Sequence, residues 1–405
     1  NGKIVGYTIN GNKQWISNGG YADLFTVLAK TPKGPTWFVV DKGTAGLSAG
    51  KREDKHGIRA SNTASLAFDD MFVEADRVVG GVEGQGLVQA QLVFGFTRLM
   101  VAAFGLGAGW EAMDRAIPYS VDRKQGGGPL SEKQGFTHKL IIPHILRLEA
   151  GRAYIEETAE RLDQDEGNLN TEGAIAKYLS TEAGDAAAEA AIQALGGYGY
   201  TREYMVEKIK RDVRITRIYE GTSEIMEMTI ARDRWQQHLK TRGQYYHDRA
   251  KELEIIDASY PEAGAKIVAL GLHALAEILE RARIKRLTRN QHILFRIGEI
   301  VAHGEGAAAL VRRAERHAKG TLNAKGDHRF SPDILAAISR CYAREAAAKI
   351  VHEGMRWIAG ADGLDASEIS AFGQALHLVE IHQAQAGMIA DMNRIADAIY
   401  DRESA

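Results

Sequence analysis

The chain has 405 residues with 51 basic and 53 acidic side chains, and a formal charge of −2 excludes a strongly basic nucleic-acid scaffold. This length predicts two or three domains with a sizeable core, and the absence of an apolar run read as long enough to cross a bilayer predicts a soluble protein. Cys341 is the single cysteine, which excludes an intrachain disulfide and a Cys-rich metal site, and the scattered histidines show no His-Glu-x-x-His spacing, so no metal is expected.

Up to about residue 80 the pattern is that of strands. The chain opens on Asn1 in what reads as the middle of a strand, so a segment upstream is expected. Tyr7-Thr8-Ile9 and Gln14-Trp15-Ile16 flank Asn10-Gly11, two residues that tolerate positive φ, and the spacing predicts a hairpin. Residues 24–29, 37–40 and 64–68 are short runs rich in β-branched or aromatic side chains, separated by Gly and Pro. They predict a small antiparallel sheet, part of a barrel or sandwich. Trp15 and Ser17, two apart in a strand, share a face and offer an aromatic plane beside a hydroxyl, which suits stacking on a conjugated ring or an ordinary core tryptophan.

From residue 87 the apolar period becomes helical. Residues 88–119, 133–163 and 171–195 carry apolar positions three and four apart, Gly196-Gly197 stops the third run, and Thr222 or Ser223 caps a fourth that extends to Trp235. Four long helices with short links predict an antiparallel bundle. Gly105-Leu-Gly-Ala-Gly109 and Gly196-Gly-Tyr-Gly-Tyr-Thr201 lack the spacing of a dinucleotide fold and do not close a strand, although Gly196 and Gly197 can still present amides to a pyrophosphate beside Gln193. Arg123 and Gln134 flank Gly126-Gly127-Gly128-Pro129, a set able to hold phosphate oxygens or simply to be solvated. Glu220 follows Ile218 and Tyr219 and precedes Gly221. The apolar pair is expected to exclude water and raise the carboxyl pKa, which suits a base, against the plainer reading of a solvated surface acid.

After a polar link near residues 240–247 the chain is helical again, with amphipathic stretches at 263–285, 291–318, 333–358 and 366–399. The expected division is a β-domain at 1–82, a four-helix domain at 83–237, a linker at 238–247 and a helical extension at 248–405. Arg281, Arg283, Lys285, Arg286 and Arg289 form a basic run, read as a solvated helix face in preference to a membrane-surface contact.

Taken together, the order and spacing of these segments resemble the FAD-dependent acyl-CoA dehydrogenase family. Residues 10–18 are similar to the flavin-facing segment of its middle β-domain, and Lys55-His-Gly-Ile-Arg59 to a later strand entry. Arg123 with Gln134, the Gln193-to-Gly199 segment, Arg211-Asp212 and Ile218-Tyr-Glu-Gly-Thr-Ser223 follow in the family's order, over roughly residues 1–237. Gly126 and Gly95 stand where the family commonly carries an aromatic and an Asp. The family's N-terminal helical domain has no counterpart before Asn1, and the extension resembles that of very-long-chain members.

The resemblance implies an α+β fold: a small antiparallel β-domain, an antiparallel four-helix bundle and a second helical bundle. It implies a flavoenzyme that desaturates an acyl-CoA thioester, with Glu220 abstracting the α-proton and the β-hydride passing to flavin N5. Trp15, Ser17, Thr222 and Glu224 would lie against FAD, and Arg123, Gln134, Gln193, Gly196 and Gly197 would hold the FAD of a neighbouring subunit, hence a homo-oligomer, dimer or tetramer. Thr97, Arg98, Tyr219 and Gly221 would contact the substrate. Electrons would pass to electron-transferring flavoprotein, in a bacterial cytoplasm or a mitochondrial matrix. The alternatives are an acyl-CoA oxidase, or a non-catalytic scaffold or nucleic-acid-binding relative of the same fold.

Overall fold

The computed structural model describes residues 3–167 and 169–402, so Asn1, expected in a strand, lies outside the described residues. The chain forms two compact units, 1–94 and 95–405.

In the first unit, strand β1 (Gly6–Ser17), the hairpin strands β2 (Leu24–Thr31) and β3 (Gly34–Asp41), the short β4 (Leu47–Ala49) and β5 (Thr63–Glu74) make two antiparallel sheets, ordered β1-β5-β4 and β2-β3. Their inner faces share one core, with Phe25, Val27, Phe38, Val40, Leu66, Phe68, Met71 and Val73 buried. The hairpin expected at Asn10-Gly11 is absent. β1 runs straight through, and the register against β5 slips between Ile9 and Gly11. The Asn10 carboxamide accepts from the Asp70 backbone N–H at 2.7 Å, with Asp70 at φ 43, so the turn-prone pair makes a bulge. That bulge changes the phase of β5: even-numbered Leu66 and Phe68 face inward before it, odd-numbered Met71 and Val73 after it.

The second unit is helical. α1 (Gly86–Asp122) begins in the first unit. The two-residue strands β6 (Lys124–Gln125) and β7 (Gly128–Pro129) close a tight loop after it. Then follow α2 (Gln134–Leu140), α3 (Ile142–Asp163), α4 (Asn170–Leu195), α5 (Gly197–Tyr200), α6 (Val206–Val213) and α7 (Ser223–Lys240). α8 (Tyr245–Ser259), α9 (Ala265–Ile284), α10 (Gln291–Ala318), α11 (Pro332–Asp362), α12 (Ala366–Ala375), α13 (Leu378–Gln383) and α14 (Met388–Ile399) complete the chain. The helix expected over 366–399 is broken into three at His377, with φ 54, and Gly387, with φ 84. The first four long helices and the later ones enclose one continuous apolar core, in which α10 packs against α3, α7 and α11.

α1 corrects one expectation: by length and composition it is apolar enough to cross a bilayer. One side of it packs closely on α4, while Leu92, Phe96, Met100 and Phe104 are exposed. An added Cβ on Gly184 of α4 would stand 2.0 Å from the Gly105 carbonyl oxygen, and one on Gly109 would stand 2.8 Å from the Gly184 Cα. The glycine cluster 105–109 therefore lets two helix backbones meet.

A buried ionic cluster ties the extension to the bundle. Arg234 of α7 donates to both oxygens of Glu305 on α10, at 2.6 and 3.0 Å, and to Glu172 of α4 at 3.0 Å. The hydroxyls of Tyr154 and Tyr246 donate to the same Glu305 at 2.8 and 2.9 Å. The Arg234 and Arg249 guanidiniums and these hydrogen bonds outweigh burial and hold the Glu305 carboxyl at about 2.

Candidate active site

Glu220 sits in the turn between the short 3₁₀ segment Arg214–Arg217 and α7. Its φ is 55 and that of Gly221 is 94, so two consecutive residues occupy the left-handed region. For Gly221 this is free of strain; for Glu220 it costs about 1–2 kcal/mol, which its surroundings must offset. Thr222 then caps α7, its hydroxyl accepting from the Ile225 N–H at 3.4 Å. The Glu224 carboxyl, bonded to its own backbone N–H and to Thr222, is held below the usual range, as suits an acid in a first turn.

The side chains around the turn come from α1 and α4. Thr97 donates to Glu220 Oε2 at 3.1 Å. Arg98, one residue on and buried, donates to Asn170 Oδ1 at 2.8 Å. Burial lowers the Arg98 pKa from its usual value, while the Glu220 and Asp233 carboxylates oppose that shift. Below the turn, Arg217 donates to Glu182 at 2.6 Å and to Asp185 at 2.8 Å, and Ser223 donates to Glu182 at 2.5 Å. Lys177, fully buried in α4, donates to the Gly221 carbonyl at 2.6 Å.

The apolar pair before Glu220 does not cover it as expected. Ile218 is 48% exposed and Glu220 itself is exposed, whereas Tyr219 is half-buried. Burial, and then the Glu220 charge, push the Tyr219 phenol up.

A second cluster forms a cavity of about 560 Å³ between the α1–α2 loop and the end of α4. Arg123, Gln193, Gly196 and Gly197 line it, with Tyr119, Phe136 and Tyr198 as apolar walls. Gly196 has φ 60, and a Cβ at Gly196 or Gly197 would meet nothing within 4 Å, so backbone and open space together form a cradle that suits an anion and a flat ring. Gln134 lies apart from this lining; its amide donates to Asn393 of α14 at 2.9 Å. In the first unit Trp15 stands at a register slip in β1 with φ 62 and 68% exposure, and Ser17 is also exposed. An indole held out by a strained backbone suits stacking on a planar group.

Sequence reading missed Lys177, Asn170, Glu182 and Asn393. Lys177 carried a usable signal, since it interrupts the otherwise apolar run Gly173-Ala-Ile-Ala-Lys-Tyr-Leu179. The other three are ordinary polar residues far from the turn in sequence. Of the basic run, Arg281 pairs with Glu368 at 3.2 Å and Arg283 with Glu280 at 2.6 Å.

Residues 1–71 match the family profile "Acyl-CoA dehydrogenase, middle domain" and residues 84–234 match "Acyl-CoA dehydrogenase, C-terminal domain". A short-chain specific acyl-CoA dehydrogenase of Megasphaera elsdenii is 39% identical over 227 residues, 55% of this chain and 58% of that protein. The chain thus spans a little over half the length of the curated relatives it matches. The butyryl-CoA dehydrogenase structure from Megasphaera elsdenii superposes with a TM-score of 0.53 at 37% identity, covering 56% of this chain and 60% of that one. An acyl-CoA dehydrogenase from Bacillus anthracis, solved with FAD, covers 98% of this chain and 71% of its own with a TM-score of 0.80. At 21% identity it is the fold, extension included, that is shared.

Proposed function

Because this chain belongs to the acyl-CoA dehydrogenase family, carrying its middle and C-terminal domains, we propose that the whole protein is an FAD-dependent enzyme that desaturates an acyl-CoA thioester between its α and β carbons. The observation that carries this reading is the left-handed turn that holds Glu220, anchored by Thr97 through its carboxylate and by Lys177 through the next carbonyl. Glu220 acts as the base that takes the α-proton, and its own backbone N–H serves the thioester oxygen as negative charge builds there. Thr97 fixes one carboxylate oxygen and leaves the other to the substrate. Arg98, Tyr219 and Gly221 form the wall against which the thioester lies. FAD, when bound, supplies the acceptor for the β-hydride.

Trp15 and Ser17 would flank the flavin ring of that FAD, and Thr222 and Glu224 would lie beside it. The cradle of Arg123, Gln193, Gly196 and Gly197, with Gln134, would hold the diphosphate and adenosine of the FAD of a neighbouring subunit. The functional protein is therefore a homo-oligomer, and its electrons pass to electron-transferring flavoprotein.

The test is anaerobic addition of acyl-CoAs of increasing chain length to the full-length, flavin-loaded protein while the oxidised flavin band is followed. Bleaching is expected with at least one acyl-CoA and not with free CoA. No bleaching at any chain length overturns the reading; bleaching followed by rapid reoxidation in air with stoichiometric peroxide moves it to an oxidase.

A further inference from the structure

Resting on the reading of Glu220 as the base, we propose that Lys177 is the positioning residue of the reaction: its buried ammonium grips the Gly221 carbonyl and keeps the Glu220–Gly221 turn in its left-handed form. Three observations meet here. Lys177 has no exposed surface, yet it stands on the α4 face that packs the bundle interior. Its Nζ lies 2.6 Å from the Gly221 oxygen, the carbonyl at the crest of the turn. The turn itself places a non-glycine residue, Glu220, at φ 55, a conformation that persists only where neighbours hold it.

A lysine in the middle of an apolar helix face is expensive to desolvate, and a neutral donor would satisfy one carbonyl equally well in number. What the charge adds is strength, because a hydrogen bond from an ammonium is roughly twice as strong as a neutral one. It also adds reach. The charged groups facing Lys177 come from each element around it: Glu182 on α4, Arg98 on α1, Glu220 in the turn and Glu224 on α7. Burial pulls Lys177 down to about 8, against the attraction of Glu182. The grip is therefore at full strength near neutrality and weakens as Lys177 loses its proton. Thr97 holds the carboxylate end and Lys177 the backbone end, so the base is clamped from two helices, α1 and α4.

The experiment compares the full-length, flavin-loaded wild type with K177M and K177R by two readouts. Amide hydrogen exchange across residues 218–222 does not depend on turnover; K177M is expected to exchange roughly tenfold faster there, with α9 to α11 unchanged. Rapid-mixing flavin reduction is expected to slow about 10–100-fold in K177M while acyl-CoA dissociation changes less than about threefold, the mark of misplaced chemistry and intact binding. K177R, charged at every accessible pH, is expected to recover most of the rate and to lose the wild-type decline above about pH 8. A merely structural lysine would not move that pH profile.

K177M with exchange and reduction rate both within twofold of wild type, or K177R keeping the alkaline decline, overturns the proposal. If K177M does not fold, K177Q takes its place, and if neither folds the K177R profile alone decides. A wild type whose flavin no acyl-CoA bleaches defeats the reading of Glu220 itself, and this is seen before any variant is made.

Discussion

Glu220 shows how little a residue's neighbours in sequence say about its surroundings. Ile218 and Tyr219 suggested a dry pocket, but a left-handed turn directs the carboxylate away from its own flank and toward Thr97 of α1. Glu220→Gln keeps the shape and removes the base, so flavin reduction by acyl-CoA is expected to fall by about 10²–10⁴-fold with the fold intact, measured by rapid mixing. A second acid, Glu227 of α7, is buried. Burial pushes it up to about 7, while Arg296 and the Tyr178 hydroxyl pull the other way. Because its folded pKa is raised, the unfolded chain releases this proton first. The contribution to stability is present below about pH 4.5 and is lost as pH rises through about 7. Glu227→Gln, uncharged throughout, is therefore expected to exceed wild type in stability above pH 7 by at most about 3 kcal/mol, with no gain below pH 4, read by urea unfolding across pH. Residue types and order marked Glu220, Arg123 and Gln193 as a set. Lys177 showed only as a break in an apolar run and Glu227 not at all, since their chemistry comes from burial that only packing creates.

At the scale of elements, period and punctuation located most helices to within a few residues, because caps and apolar spacing are local. Thr222 does cap α7, and the fourth long helix begins where its hydroxyl indicated. The Asn10-Gly11 bulge and the glycines of α1 were misread or unread for one reason: each is explained by a partner remote in sequence, Asp70 in one case and α4 in the other. The α1–α4 crossing makes a paired prediction. Gly184→Ala gains about 1 kcal/mol of helix propensity, but its Cβ would meet a backbone oxygen at 2.0 Å, so a net loss of about 1–3 kcal/mol or more is expected. Gly107, two positions from Gly105 on the exposed side of α1, meets nothing within 4 Å. Gly107→Ala is expected to stabilise by about 0.5–1 kcal/mol, and denaturant unfolding of the two variants beside wild type checks both signs.

For the molecule as a whole, the extension shares one core with the bundle and is tied to it by several ion pairs, and two of the contacts between them differ in character. One is the interior cluster around Arg234 and Glu305, where losing a partner would strand a buried charge. The other is the last helix and the tail after it. Asn393 accepts from Gln134 and lies 3.0 Å from the His138 ring, the Tyr400 and Ser120 hydroxyls meet at 2.9 Å, and Arg402 reaches the Ser131 carbonyl at 3.4 Å. All four contacts fall on the segment around Arg123 and Gln134, so the tail steadies that segment. Asn393→Ala is expected to speed amide exchange in α2 about threefold to tenfold and to leave α9 unchanged, measured by hydrogen exchange at one pH. The sequence by itself determined the class of the chain, its strand and helix zones and the co-linear set of residues around Glu220, because these rest on local period, turn chemistry and order. Only the tertiary structure decided which groups hold the Glu220 turn in place, why the α1 glycines are there and where the tail docks. Those depend on distances between residues far apart in the chain, and no local pattern records them.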